Sequence, residues 1–227
     1  MTPSARTRPE PRITLAAEGR PFVLVPLGLA GLAAVAAPAL GGPGPWLVAG
    51  AALLVASFCA FFFRDPRRSP PDDPDAIVSP ADGRVMAVEQ RAGRWRIAIF
   101  LSVLDVHVNR APESGRVDDV AYHRGRFRAA FRADAAQVNE RNHVRFDGPR
   151  GPFEVVQIAG LIARRIVCRV GPGDTLARGD RFGLIRFGSC TELWLPEHVT
   201  PAVAPGARVR GGETVVARWP AAEGSPR

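Results

Sequence analysis

The stretch RFGLIRFGSCTELWLPEHV (residues 181–199) decides the fold and also carries its least expected residues. Most of it is apolar and typical of a core strand, yet Gly188 and Ser189 lie in its middle, where turn residues are not expected. The pair fits a Gly-Ser β-bulge. It fits a hydrolase nucleophile elbow poorly, because G-x-S-x-G requires a glycine where this chain has Thr191. Local pattern alone therefore favours a bulge with no chemistry.

The surrounding sequence predicts a mainly β domain. Short apolar and β-branched runs are separated by Gly and Pro: AIVSPADGRVMAVE, WRIAIFLSVLDVHVNRA, FEVVQIAGLIARRIVCRV and TVVARWP. These runs favour a mainly β (α+β) class, an antiparallel β sandwich or half-barrel, over a helical fold. One segment differs, because RFRAAFRADAAQVNERNHV (residues 126–144) is rich in alanine and charge. That segment is predicted to be a short helix or an extended arm.

Two apolar stretches precede the β domain. Residues 21–40 and 46–63 each come close to the about 20 apolar residues that cross a hydrocarbon core of about 30 Å. The short Gly/Pro linker between them predicts an antiparallel helical membrane hairpin. Both outer ends are rich in arginine, so the positive-inside rule places them, and the β domain, on the cytoplasmic side of the cell (inner) membrane. The alternatives are a signal peptide, a soluble buried hairpin and a shallow re-entrant segment.

The chain is therefore predicted to have four regions. A polar N-terminus occupies residues 1–20, the hairpin 21–63, a linker 64–75 and the β domain 76–227. The linker is rich in Pro, Asp and Arg, which is typical of a domain boundary. A chain of 227 residues is long enough for one sizeable domain with an appendage.

Charge and composition exclude some chemistry. Thirty basic residues against 22 acidic ones give a formal net charge of +8, and every basic residue is arginine. Without lysine, the chain has no side-chain amine to form a Schiff base with a substrate or with pyridoxal phosphate. The positive charge favours anionic partners such as anionic lipid, while no aromatic-and-basic RNA motif is visible. Cys59, Cys168 and Cys190 form no C-x-x-C pair, which argues against a disulfide framework or a zinc site.

Three polar clusters interrupt the β runs. Asp82 lies in a Pro-Ala-Asp-Gly turn directly before a strand, a pattern that ordinary hairpins also use. Asp105, His107 and Asn109 alternate, so in a strand they would share one face and form a polar wall ending at Arg110. The third cluster is NERNHV. A lone histidine is usually structural, whereas a histidine within a polar wall favours a functional site.

The order of these motifs resembles a known family. PADG, L-S-x-x-D-V-H-V-N-R, NERN, Q-I-A-G-x-x-A-R-R-I and R-G-D-R-F-G-L-I-R-F-G-S follow an apolar hairpin, as in the short bacterial phosphatidylserine decarboxylase proenzymes. The resemblance covers residues 64 to about 219. It implies a lyase of phospholipid biosynthesis that converts phosphatidylserine to phosphatidylethanolamine plus CO₂.

The resemblance also implies self-cleavage. The chain would break between Gly188 and Ser189 into a β chain, 1–188, and an α chain, 189–227, which stay together as an αβ heterodimer that could assemble further. Ser189 would become a pyruvoyl group that forms a Schiff base with the substrate amine, so neither pyridoxal phosphate nor a metal is implied. Glycine suits the scissile position, because attack on its carbonyl needs an uncrowded and strained backbone.

Further roles follow from the resemblance. His107 is the candidate acid that reprotonates the α-carbon after CO₂ leaves. Asp82 is a candidate helper in self-cleavage, but longer relatives have a second histidine where this chain has Arg110, so the base that assists stays open. Four arginines are candidates to bind the lipid phosphate: Arg110, Arg141, Arg164 and Arg165.

Two alternatives to the leading interpretation are kept. A pyruvoyl decarboxylase could act on another serine-headed or amino-acid-headed substrate, although the apolar hairpin favours a lipid. A membrane-tethered β domain could instead bind anionic lipid without catalysis and carry an inert Gly-Ser bulge. Cys190, directly after the motif serine, could compete as a nucleophile but is expected to be a packed side chain. No nucleic-acid partner is expected.

Overall fold

The computed structural model describes residues 13–128, 138–160, 165–186 and 188–221. The chain divides into two compact units, residues 1–67 and 68–227. The first unit contains two long helices, and the second is built from strands.

An apolar helical hairpin dominates the first unit. Helix α1 spans Arg20–Leu40 and helix α2 spans Gly44–Phe62. The two glycines that follow α1 have φ angles of 65° and 70°, which allow the chain to reverse within a few residues. A short antiparallel ladder joins the outer ends of the hairpin, between β1 (Ile13–Leu15) and β2 (Arg64–Pro66).

The two helices bury small residues and expose large apolar ones. The buried residues on them are mostly alanines, whereas many leucines and valines of both helices are exposed. Close packing through small residues is typical of helices that associate in lipid. Both helices are long and apolar enough to cross a membrane. The predicted pair of apolar helices is therefore confirmed.

The second unit is built from antiparallel strands. Their bounds are β3 Ala76–Val78, β4 Gly83–Arg91, β5 Arg94–Leu101, β6 Val108–Arg110, β7 Gly115–His123, β8 Arg141–Gly148, β9 Gly151–Ala159, β10 Ile166–Cys168, β11 Thr175–Leu176, β12 Arg181–Ile185, β13 Ser189–Pro196, β14 Thr200–Pro201, β15 Arg208–Val209 and β16 Val215–Arg218. They form an eight-stranded sheet in the order β11-β7-β8-β9-β13-β5-β4-β15 and two three-stranded sheets, β10-β12-β6 and β14-β16-β3. The predicted class, mainly antiparallel β with an N-terminal helical pair, is confirmed, and the sheets are open.

Strand β13 lies in the middle of the large sheet. It pairs with β5 on one side and β9 on the other, so that Ser189 is opposite both Leu101 and Ala159. Farther along the strand, Leu193 and Leu195 are fully buried in the main core. Burial of a leucine side chain contributes about 1.5–3 kcal/mol, so core packing fixes the strand that begins at Ser189.

The prediction that Asp105, His107 and Asn109 share one strand face is wrong. The strand that contains Asn109 begins only at Val108, so Asp105 and His107 do not share a strand face with it. Asp105 closes a turn instead, because its Oδ2 accepts hydrogen bonds from the Ser102 N–H (2.8 Å) and hydroxyl (2.7 Å). Short polar side chains of this kind bind nearby backbone and interrupt a strand.

The segment predicted as a short helix or an extended arm, residues 126–144, lies largely outside the described residues, which leave out 129–137. Its described ends take part in strand pairing. Arg126 forms an isolated bridge with Asn139, and the last four residues belong to β8.

Candidate active site

Ser189 places a hydroxyl in the interior. It is the first residue of β13, and its side chain is fully buried. Among the residues that the structure describes, its Oγ has no hydrogen-bond partner. A buried polar group without a partner costs about 1–3 kcal/mol and is rare in native proteins, so it calls for a functional explanation.

Gly188 lies at a break between two sheets. Strand β12 ends at Ile185 and β13 begins at Ser189, so the stretch that reads as one strand is two strands in different sheets. Gly188 has a φ of 74°, in the left-handed region that favours glycine. Among the described residues, other than its chain neighbours, a Cβ added there would meet no atom within 4 Å. Backbone conformation, rather than a lack of space for a side chain, therefore favours glycine here.

His107 accepts a direct hydrogen bond from Gly188, the residue that precedes Ser189. It is 2% exposed, and its Nε2 lies 3.1 Å from the Gly188 N, whose N–H donates to it. Its Nδ1 lies 2.9 Å from the carbonyl oxygen of Asp105. Because a backbone N–H only donates and a carbonyl only accepts, these two contacts select the neutral tautomer with the proton on Nδ1. The structure thus brings His107, Gly188 and Ser189 together.

Asp82 lies in a cluster of charges. Its Oδ2 is 2.7 Å from Arg68 Nη2, and its Oδ1 accepts a hydrogen bond from the Gly211 N–H at 2.8 Å. The same guanidinium reaches Glu213 at 2.8 Å. Asp82 and Asp105 line one cavity of about 600 Å³. Asp82 therefore lies on the same cavity as Asp105, whose carbonyl oxygen contacts His107.

The four candidate arginines have different surroundings. Arg110 is buried in β6, and its Nη1 donates to the Gly179 carbonyl at 3.0 Å. Arg141 is half-buried at the start of β8. Arg165 is exposed, and its carbonyl accepts from the Arg186 N–H at 3.2 Å, which places it beside the break that leads to Gly188. Arg164 lies outside the described residues.

A buried network of amides next to β13 was missed by sequence reasoning. It joins Asn142, Gln157, Asn109 and Thr191, and each of these side chains is at most 1% exposed. The available signal was that single polar residues interrupt apolar strands. Which residues are neighbours depends on pairings between distant segments, which periodicity does not reveal.

Cys190 faces away from Ser189, because successive side chains of a strand point to opposite faces. It is 5% exposed and packs with Ala98, Val156 and Ile158. Burial raises the pKa of its thiol to about 12. The thiol is therefore neutral near pH 7, and the expectation of a packed side chain is confirmed.

Comparisons with known proteins agree on one family. The family model for phosphatidylserine decarboxylase matches residues 55–217. A phosphatidylserine decarboxylase proenzyme from Gluconacetobacter diazotrophicus is 49% identical over 211 residues, covering 88% of this chain and 92% of the relative. One from Rhodococcus erythropolis is 47% identical, covering 89% and 86%. One from Nitratidesulfovibrio vulgaris is 44% identical, covering 92% and 96%.

The family defines the class of protein: the chain is a lyase, in particular a decarboxylase. Its fold is an open antiparallel β domain in which a buried serine follows a positive-φ glycine. The chain is a member of the phosphatidylserine decarboxylase family. The resemblance noted from the motifs is therefore confirmed.

Proposed function

We propose that the chain converts phosphatidylserine to phosphatidylethanolamine and CO₂, and that Ser189 is the source of its pyruvoyl group. The buried Ser189 Oγ, which has no hydrogen-bond partner within the described ranges, carries this proposal. The name proenzyme, which the relatives bear, supports a chain that is processed after synthesis.

The proposed cleavage begins at the 188–189 bond. Ser189 Oγ attacks the Gly188 carbonyl, and the acyl group moves from nitrogen to oxygen to give an ester. Loss of the 189 Cα proton then expels the Gly188 carboxylate, which leaves a dehydroalanine at the new N-terminus. One water adds and ammonia leaves, which yields the pyruvoyl group. The products are a β chain, 1–188, and an α chain, 189–227.

We assign these proton transfers to His107, a titratable side chain that contacts the residue before Ser189. Its Nε2 lies 3.1 Å from the Gly188 N, next to the scissile bond, and it would take up the Ser189 proton once its contact with the Gly188 N–H is released. Asp82 is proposed to act indirectly, because its carboxylate is paired with Arg68. We assign it to holding the surrounding segments in place.

In decarboxylation, the pyruvoyl group supplies an electrophilic carbonyl that accepts the substrate amine and withdraws electrons as CO₂ leaves. His107 then donates a proton to the α-carbon of the substrate. Of the candidate arginines, Arg165 is the best placed to bind the lipid phosphate, because it is exposed and adjoins the break before Gly188. Arg110 is engaged in the interior by the Gly179 carbonyl.

The two apolar helices are proposed to hold the protein in the cell membrane. The arginines that flank the hairpin support a cytoplasmic position for the β domain, by the positive-inside rule. Outward-facing leucines and valines on both helices support contact with lipid.

The purified chain tests this proposal. Intact-mass analysis is expected to show a fragment that begins at residue 189 and resists Edman degradation, whereas Ser189→Ala stays at 24.3 kDa and is inactive. Ser57→Ala, at an exposed serine of helix α2, is the matched control and is expected to cleave normally. A wild-type protein that stays uncleaved, or a Ser189→Ala variant that decarboxylates phosphatidylserine, would overturn the proposal. A lipid-binding module without catalysis would bind vesicles equally well with either residue at 189.

A further inference from the structure

A one-way chain of side-chain hydrogen bonds runs through the interior to β13. Asn142 Nδ2 donates to Gln157 Oε1 (3.0 Å), Gln157 Nε2 donates to Asn109 Oδ1 (2.9 Å), and Asn109 Nδ2 donates to Thr191 Oγ1 (3.1 Å). These residues come from β8, β9, β6 and β13, so the chain connects the large sheet with the sheet that contains β6. We call these four residues the amide chain.

A backbone carbonyl sets the direction of the amide chain. Gln157 Nε2 also donates to the Val167 carbonyl at 3.4 Å, and a carbonyl can only accept. The amide of Gln157 must therefore turn its NH₂ group toward Asn109 and its oxygen toward Asn142. With its own oxygen occupied, Asn109 must present its NH₂ group to the Thr191 hydroxyl. The amide orientations thus follow from one fixed acceptor.

A glycine makes room for the amide chain. A Cβ added at Gly183 would lie 2.3 Å from the Val167 carbonyl oxygen and 2.9 Å from Gln157 Nε2. Both distances are shorter than any non-bonded contact that a real Cβ makes. Gly183 is thus required by the close approach of the Val167 carbonyl, the same carbonyl that accepts from Gln157 Nε2.

The last link of the amide chain joins the two segments that carry the reacting residues. Asn109 is two residues from His107, and Thr191 is two residues from Ser189 on the same face of β13. His107 itself contacts Gly188, but the proposed cleavage separates Gly188 from residue 189. The contact with His107 therefore restrains the Gly188 side of the scissile bond. The Asn109–Thr191 bond restrains its other side, where residue 189 lies.

We propose that the Asn109–Thr191 hydrogen bond is a positioning device for self-cleavage that fixes residue 189 relative to His107. Thr191 and Asn109 are positioning residues, since they act through the placement of Ser189 and His107. The inference rests on the proposed function. The two amides behind Asn109, those of Gln157 and Asn142, hold it in one orientation, since a rotated Asn109 amide would lose its hydrogen bonds to Gln157 and Thr191.

Cleavage kinetics test the inference. The full chain is made by cell-free translation with a short radioactive pulse, and conversion to the two fragments is followed by gel. Thr191→Val removes the hydroxyl at constant shape and is expected to slow cleavage about 10-fold to 100-fold, the usual cost of small misplacement. Thr191→Ser retains the hydroxyl and is expected to stay within about threefold of wild type.

A control separates positioning from loss of stability. Val155→Ala creates a cavity in β9, two residues from Gln157, without removing any hydrogen bond of the amide chain, and it is expected to cleave at the wild-type rate. Thermal midpoints are measured in the uncleavable Ser189→Ala background, so that stability is known without cleavage. Gln157→Met is the second variant should Thr191→Val not fold, and it is expected to slow cleavage while leaving residues 189 and 191 unchanged.

The outcomes are distinct. Wild-type cleavage rates in both Thr191→Val and Gln157→Met, or equal slowing in Val155→Ala, overturn the positioning role while the proposed function stands. A wild-type chain that does not cleave overturns the proposed function instead. Slow cleavage in Thr191→Val with rescue by Thr191→Ser supports the inference.

Discussion

His107 and Asp82 are the two residues that the sequence nominates for proton chemistry, and their surroundings differ in kind. His107 is held by two uncharged backbone groups, the Gly188 N–H and the Asp105 carbonyl. Asp82 is paired with the guanidinium of Arg68, which also binds Glu213. The carboxylate of Asp82 is thus committed to an ion pair, whereas His107 is held through its ring nitrogens by backbone groups next to the 188–189 bond. The contrast supports the proposed roles, proton transfer for His107 and structural linkage for Asp82.

The largest effect is expected from His107→Ala. The substitution removes both the contact with Gly188 and the proposed base, so self-cleavage is expected to slow at least about 100-fold, the range found for general acid–base groups. The measurement is fragment formation over time in the full chain. His198→Ala, at an exposed histidine, is the control. Normal cleavage in His107→Ala would end the distinction between the two sites.

A smaller effect is expected at the charged site, where Asp82→Asn and Arg68→Met both break the same ion pair. If the pair is structural, each slows cleavage about tenfold, and the double variant is no slower than either single one, because coupled residues are not additive. The three rates form a double-mutant cycle. Complete loss in Asp82→Asn beside normal cleavage in Arg68→Met would show that Asp82 is itself the base.

The smallest effect on cleavage is expected at Cys190, which faces away from both sites. Cys190→Ala is expected to cleave within about twofold of wild type, since a neutral buried thiol is a poor nucleophile.

Burial raises the pKa of the Cys190 thiol from 9.0 to about 12. The folded protein then holds a proton that the unfolded chain loses, so stability contributed by the thiol is complete below pH 9 and falls as pH rises toward 12.

Urea unfolding between pH 7 and pH 10 in the Ser189→Ala background checks the predicted effect of the Cys190 thiol on the pH dependence of stability. The wild-type cysteine is expected to show a steeper loss of stability above pH 9 than the Cys190→Ala variant. Identical slopes would contradict a buried neutral thiol. A Cys190→Ala variant that cleaves much more slowly than wild type would show that the thiol takes part in the reaction.

The sequence predicts those parts of the molecule that depend on local pattern. Alternation and β-branched runs indicate the strands, and the long apolar runs indicate α1 and α2. The position of Gly188 and Ser189 followed from a motif. The pattern failed where a side chain overrides it, because Asp105 binds Ser102 and ends the strand predicted to run through His107.

The contacts that define the site could not be predicted in the same way. His107 is 81 residues from Gly188, and Asn109 is 82 residues from Thr191. Asp82 meets Arg68 and Gly211, of which one precedes the β domain's first strand and the other lies near its end. Such pairs are set by how sheets pack on one another. A single sequence carries no periodic signal for that arrangement.

The central position of β13 also determines how activity is supplied and lost. The prosthetic group proposed to form from Ser189 would be part of a strand with hydrogen-bonded neighbours on both edges, so it could not be replaced from a pool in the way that a dissociable cofactor can. Each molecule would be activated once in its lifetime. The amount of active enzyme in a cell would then follow the rate of new synthesis, and chemical damage to the group would retire that copy permanently.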